Sequence, residues 1–276
     1  MQFCNLAKGF TGRARFTILP GMEPLSATPN PFGGIVLEPD QLPSDPMEFA
    51  PRLESSLKDW TAAGYKVVWM EIPLNRAGLV PVAGGEGFTY HHADDRYVMM
   101  FKRLEEGAFV PNYSTHYIGA GGVVINGDNE ILVVRERRDE VGSGSFKLPG
   151  GHLHEEEHLA DAVVREVLEE TGIESRFVSL VCFRHQHAYR HGKSDIYFVC
   201  RLEPLSNDIS KQDDEIAECI WMPVEAYLNV ESVSVFNKEI VRAAIETPGF
   251  GPIAIAGYRD PAKVEVFFPK DGTEER

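Results

Sequence analysis

What the chain lacks narrows its chemistry before any motif is read. It has no apolar run near the roughly 20 residues that a membrane-crossing helix needs, so no membrane partner is expected. Its four cysteines, Cys4, Cys182, Cys200 and Cys219, lie far apart and form no CxxC pair, which argues against a zinc module and a disulfide framework alike. Three of them sit in apolar stretches, as buried reduced thiols do. That fits a reducing compartment, and the cytoplasm is the expected one. Positive charge is scarce: 27 Lys and Arg stand against 42 Asp and Glu, a formal charge of −15. A nonspecific nucleic-acid binder gains affinity by covering phosphates with a basic surface, so a nucleic-acid polymer is a poor partner for this chain. A phosphate compound would have to be held locally, by a metal ion and a few placed cations, which points to a small nucleotide. Lys8, Arg13 and Arg15 precede the first acid at Glu23 and read as a short basic arm rather than an organelle presequence. There is no internal repeat and no low-complexity segment.

What is present suits two domains: 276 residues, 43% of them hydrophobic. Residues 1–112 alternate strand and helix patterns, as a small α/β domain does. Phe32 to Glu38 reads as a strand, Ser44 to Ala63 as a helix opened by Ser44-Asp45-Pro46, and Tyr65 to Ile72 as a second strand. Asn75 to Val82 is a short helix, and Phe88 to His92 with Tyr97 to Arg103 forms a hairpin turning at Ala93-Asp94-Asp95. Residues 113–246 form the second domain. Its strands are Tyr117 to Ile125, Ile131 to Glu136, Phe177 to Arg184, Ser194 to Leu202 and Ala217 to Met222. Asn126-Gly127-Asp128-Asn129 is a hairpin signal. A Gly/Ser loop at 141–145 leads to a helix from Glu156 to Thr171, stopped by Gly172. Glu225 to Leu228 and Phe236 to Glu246 read as helices, and 247–276 as a packed C-terminal extension.

Residues 151–173, GHLHEEEHLADAVVREVLEETGI, carry the chemistry. Helical neighbours three and four apart share a face, so Glu166, Glu169 and Glu170 converge on one side. Ala160, Val163, Val164, Val167, Leu168 and Thr171 form an apolar stripe on the other. Crowded carboxylates repel, and a hard divalent cation with oxygen ligands compensates them. Such a cation binds phosphate oxygens and lowers the pKa of a bound water. Gly150-Gly151 lets the backbone approach closely, so a main-chain carbonyl there is a further candidate ligand. Arg165, one turn before Glu169, is placed to orient it, and Glu157 is placed to hold Arg165 or a metal-bound water. Acids on a helix are usually only a solvated face; the glycine pair, Glu157 and Arg165 in register argue for a metal site instead. His152, His154 and His158 read as rim residues rather than a transition-metal set.

The segment fills all nine specified positions of the Nudix box, from Gly151 through Glu157, Arg165-Glu166-Val167 and Glu169-Glu170 to Gly172-Ile173, and the chain is identified as a member of that family. Over most of its length it resembles the plant-type ADP-ribose/NADH pyrophosphatases and the animal Nudix-type motif 6 proteins. The supporting stretches include Lys58-Asp59-Trp60, His91-His92-Ala93, Lys147 to Gly151, Phe183 to His187, Gly192 to Asp195 and Trp221-Met222-Pro223. The resemblance implies an α/β/α sandwich with a mixed sheet, preceded by a small acetyltransferase-like α/β domain. No Arg-x-x-Gly-x-Gly loop is present, so acetyl transfer itself is not expected. It also implies Mg²⁺ or Mn²⁺ on Glu166, Glu169 and Glu170, with the Gly150 carbonyl as partner, and hydrolysis of a nucleoside diphosphate derivative such as ADP-ribose or NADH. A loop acid contributes as well, Glu215 by first choice and Glu218 by second, with solvated loop acids as the competing reading. Either Glu166 or Glu215 serves as base. Family members are often dimers, so a homodimer is the corresponding expectation, with no interface identified.

For phosphate contacts the candidates are Arg135, Arg137, Arg138, Lys147 and Lys193, with Arg184 and Lys193 favoured because they fall in the recurrent stretches. Phe146 is a candidate base-stacking residue, against a core role, and Tyr189 has the spacing of dinucleoside polyphosphate hydrolases. Two positions depart from the family's habit: His154 stands where an acid is common and Glu156 where glycine is common. The alternative to an enzyme is a nucleotide-sensing or protein-binding regulator on the same fold, which would be expected to have lost box acids; none is lost.

Overall fold

The computed structural model describes residues 23–137 and 144–270. The basic arm with Lys8, Arg13 and Arg15, Cys4, Arg138 and the first part of the Gly/Ser loop lie outside them. The chain divides into two compact units, residues 1–113 and 114–276.

In the first unit, β1 (Ala27–Pro29), β2 (Gly34–Leu37), β3 (Val67–Pro73), β4 (Thr89–Ala93) and β5 (Tyr97–Arg103) form one sheet in the order β1-β2-β3-β5-β4. Only β2 and β3 run parallel, and α1 (Pro46–Ala62) connects them; a parallel pair requires such a crossover. Asp45 starts α1 by accepting from Met47 N–H at 2.8 Å, with Pro46 in the first turn. The buried stripe of α1, Phe49, Leu53, Leu57 and Trp60, packs with Ile35, Leu37, Val68, Met70 and Ile72 of the sheet. A 3-10 turn (Leu74–Leu79) and α2 (Val80–Gly85) replace the single short helix expected there. The β4–β5 turn is held by the Asp94 carboxylate, which accepts from the N–H groups of Arg96 and Tyr97 at 2.7 and 3.2 Å.

The second unit contains β6 (His116–Val124), β7 (Glu130–Glu136), β8 (Gly150–His152), α3 (Leu159–Thr171), β9 (Ser175–Gln186), β10 (Ser194–Pro204) and β11 (Ile216–Pro223). They are followed by α4 (Val224–Asn229), α5 (Val235–Glu246), β12 (Phe250–Pro252) and β13 (Phe267–Pro269). Six strands join in the order β13-β12-β9-β10-β6-β8, with β6 and β10 parallel, and β7 pairs with β11 in a second sheet. The expected β6–β7 hairpin closes with only an Ile125–Ile131 bridge. Both edges of β6 are already taken by β10 and β8, so β7 leaves for β11.

Period-two alternation along β6 and β7 distributes side chains to two layers. Ala120, Val124, Leu132 and Val134 pack with Leu159, Val163 and Val167 of α3. Val123, Ile131 and Val133 pack with Val224 and Tyr227 of α4 and Ile240 and Val241 of α5. Helices thus cover both faces of a mixed β layer, and each fully buried Val of α3 contributes about 1.5–3 kcal/mol. Cys200 and Cys219 are buried in the α3 layer, and burial pushes both thiols up, Cys219 to about 12.

Candidate active site

α3 begins later than the sequence pattern suggests, at Leu159 rather than Glu156. Glu156 sits at φ 61°, a left-handed conformation that a helix does not include, and Glu157 N–H bonds the His154 carbonyl in the preceding turn. At the other end Gly172, at φ 74°, takes the left-handed cap and returns its N–H to the Leu168 carbonyl.

The acids of α3 do not all share one face. Glu166 and Glu170 lie about 40° apart around the helix axis and both line a cavity of about 590 Å³. Glu169 falls on the far side of Glu166, half exposed, and is not among the lining residues. Glu170, expected on the charged face, is buried, while Leu168, expected in the apolar stripe, is exposed. Gly150 N–H donates to Glu170 Oε2 at 2.9 Å and holds that carboxylate inward against β8. Burial is the main influence on Glu170, raising its pKa to about 7 against the pull of Lys147 and the Gly150 N–H.

Arg165 ties the acids together. It grips Glu157 with two bonds of 2.7 and 2.9 Å, reaches Glu166 at 3.0 Å and Glu169 at 2.9 Å, and donates to the His152 carbonyl at 3.2 Å. The two-pronged contact holds Glu157 at a pKa of about 2 and raises that of Arg165. The glycines make room for this packing. A Cβ on Gly150, at φ 151°, would lie 2.2 Å from the Ala120 carbonyl, and one on Gly151 would lie 2.5 Å from Glu166 Oε2. Gly121 likewise admits the Tyr197 hydroxyl, which a Cβ would meet at 2.2 Å.

The cavity is also lined by Arg184, Glu215, Lys147, Tyr189, His152 and His154. Arg184 is held rigidly: it donates to buried Asp195 at 2.7 Å and lies 5.5 Å from the Tyr197 ring and 5.4 Å from the Phe236 ring. Lys147 pairs with Glu136, another lining residue. Glu218 is paired with Arg135 on the second sheet and is not among the lining residues, whereas the Glu215 side chain has no polar partner among the described residues. Lys193 and Phe146 are not lining residues either. The Lys193 ammonium sits 5.1 Å from the Tyr117 ring, and Phe146 packs against the α4–α5 core layer with Arg135 over its ring. The sequence pattern assigns no role to Asp195, Tyr197 or Phe236. The signal for the first two was alternation, since Asp195 and Tyr197 are two apart on β10 and Tyr197 pairs across from Arg184.

Among the described residues, no three His, Cys, Asp or Glu side chains are gathered as a ligand set, and Arg165 engages both Glu166 and Glu169. The residues nevertheless fit a hard divalent cation. The donors are carboxylate oxygens, Glu170 is a buried acid with one N–H partner, and the missing side chain at Gly151 keeps the space beside Glu166 open.

Known proteins match both units. The Nudix hydrolase domain model (Nudix_hydro) matches residues 25–104 and the NUDIX domain model residues 115–244. Nudix hydrolase 2 of Arabidopsis thaliana is 40% identical over 82% of this chain and 79% of its own. Nudix hydrolase 8 of the same plant is 39% identical over 80% of this chain, which spans 60% of that longer protein. The human nucleoside diphosphate-linked moiety X motif 6 is 32% identical, covering 83% of this chain and 71% of the human one. With both domain models matched and relatives covered over most of their length, the chain belongs to the Nudix hydrolases, a family that hydrolyses nucleoside diphosphate derivatives.

Proposed function

We propose that this protein hydrolyses the diphosphate of ADP-ribose, NADH or a related compound to a nucleoside monophosphate and a phosphorylated remainder, with Mg²⁺ or Mn²⁺. The observation that carries the reading is the geometry: buried Glu170, held by the Gly150 N–H, stands beside Glu166 in one cavity with the guanidinium of Arg184. Glu166 and Glu170, which share the cavity, would hold the cation together with Glu169, which Arg165 holds on the outer side of the helix, and the Gly150 carbonyl would be the further ligand. When bound, the cation polarises the diphosphate and lowers the pKa of a water molecule.

The chain's own groups do the rest. Glu157 anchors Arg165, and Arg165 orients Glu166 and Glu169. Arg184, fixed by Asp195 and two rings, neutralises phosphate charge without reorganising. Of the two candidate bases, Glu166 is engaged by Arg165 while the Glu215 side chain has no polar partner among the described residues, which favours Glu215 for accepting the water's proton. The substrate class rests on the resemblance of the quoted stretches to ADP-ribose/NADH pyrophosphatases.

The test is AMP release from ADP-ribose, NADH, FAD, ADP-glucose, diadenosine polyphosphates and oxidised nucleoside triphosphates with either metal. Selective, chelator-sensitive release from ADP-ribose or NADH is expected, falling at least about 100-fold in Glu170→Gln and in Glu169→Gln. Full turnover in both variants would remove the metal-site assignment. Thermal stabilisation by ADP-ribose without any product would move the protein to a sensing role.

A further inference from the structure

The start of α3 has no cap of its own. His158 occupies the N-cap position and makes no side-chain cap bond, so the first N–H groups of the helix need an outside acceptor. They find one about a hundred residues later in the chain. Glu265 accepts from Leu159 N–H through Oε2 at 2.6 Å and lies 3.4 Å from Ala160 N through Oε1. The same segment holds His158, whose Nε2 lies 3.0 Å from the Pro261 carbonyl and whose Nδ1 lies 3.7 Å from Glu265 Oε2. The segment is itself secured on both sides of Glu265. Ile253 N–H bonds the Val266 carbonyl at 2.9 Å, Phe267 meets Phe177 with ring centroids 5.8 Å apart, and Lys270 N–H bonds the Gly249 carbonyl at 2.9 Å.

We propose that Glu265 is a positioning residue for the diphosphatase reaction, acting through the first turn of the acid-bearing helix; the proposal rests on the function inferred above. The turn matters because Glu157 immediately precedes it, and Glu157 is the two-pronged anchor of Arg165, which in turn touches Glu166 and Glu169. A carboxylate at a helix N-terminus satisfies two N–H groups and meets the positive end of the helix dipole. Without it the turn from Glu157 to Ala162 frays, and Arg165 loses the fixed carboxylate against which it aligns the metal ligands. The C-terminal segment is thereby a working part of the site, although among the described residues neither Glu265 nor any other beyond Ile240 lines the cavity.

The test uses the full chain with Glu265→Ala and Glu265→Gln. Glu265→Ala should speed amide hydrogen exchange at Leu159–Ala162 by roughly fivefold to tenfold, the effect of losing a helix cap, with the core amides of β6 and β10 unchanged. It should also weaken Mn²⁺ binding, read by electron paramagnetic resonance, and lower kcat on ADP-ribose with KM changed less than about twofold, since nothing that touches substrate is removed. Glu265→Gln keeps an oxygen for Leu159 N–H and should restore most of each readout. Unchanged exchange at Leu159–Ala162 in Glu265→Ala overturns the proposal, as does raised exchange with wild-type metal binding and kcat. A loss spread evenly over the whole unit in both variants makes Glu265 an ordinary stability residue and overturns it too. Failure of the function itself looks different: the wild type would then neither bind Mn²⁺ nor release product.

Discussion

At the scale of single residues, two carboxylates in one site are driven in opposite directions by their surroundings. Glu157 lies beside a guanidinium and titrates at about 2, below the ordinary 4.5. Its stabilising contribution is complete above pH 4.5 and is lost as the pH falls towards 2. Glu157→Gln should therefore cost on the order of 2 kcal/mol at pH 6 and almost nothing near pH 2, measured by urea unfolding across that range. Glu170 is the reverse case, raised to about 7 by burial. Its folded form binds the proton more tightly than the unfolded chain does, so that stability is complete below pH 4.5 and lost as the pH rises through 7. Glu170→Gln should accordingly be more stable than the wild type at pH 8 in chelator, by about 2 kcal/mol, while losing turnover. A variant less stable than the wild type under those conditions would mean that the buried carboxylate is not under strain.

At the scale of elements, the strand and helix periods were readable because they report only which faces are buried. α1, β3, β5, β7 and α5 were all legible from alternation or helical spacing to within a few residues. Short elements were not. β8 spans Gly150–His152, β12 Phe250–Pro252 and β13 Phe267–Pro269, and three residues cannot display a period. The start of α3 was misplaced because Glu156 is a good helix former by composition yet sits in a left-handed turn. Glycine, which adopts that conformation freely, is common in the family at this position. Glu156→Gly should thus raise stability by about 0.5–1 kcal/mol with no loss of turnover. Calorimetry of the two proteins checks it, and a lower melting temperature for the variant would show that the Glu156 side chain supports the turn.

At the scale of the molecule, the described residues contain no helix long and apolar enough to cross a membrane, and the chain carries a charge of −15. Each unit has its own core: one sheet with α1 in the first, and two helix-covered layers in the second. A ligand that binds only the folded state adds stability by mass action. Mg²⁺ at ten times its Kd should therefore raise the unfolding free energy of the second unit by about 1.4 kcal/mol, and chelation should reverse the gain. The effect should vanish in Glu170→Gln. Persistence of the full metal effect in that variant would place the cation elsewhere.

The sequence by itself determined the reaction family, the helix that carries the acids, the glycine pair and the register of Glu157 and Arg165, leaving Glu157 open between Arg165 and a metal-bound water until the structure gave it to Arg165. All of these depend on spacing within 24 residues, and short-range spacing on a helix is geometry. Tertiary structure alone decided that Glu170 turns inward to Gly150, that Glu215 and not Glu218 lines the cavity, and that Asp195, Tyr197 and Phe236 hold Arg184. It alone brought Glu265 to the start of α3. Glu265, Glu215 and Phe236 come from segments far from the motif, and even Gly150 and Glu170, within it, meet only because β8 has paired with β6; which strands become neighbours depends on which edges are already occupied. No local pattern of residues contains that information.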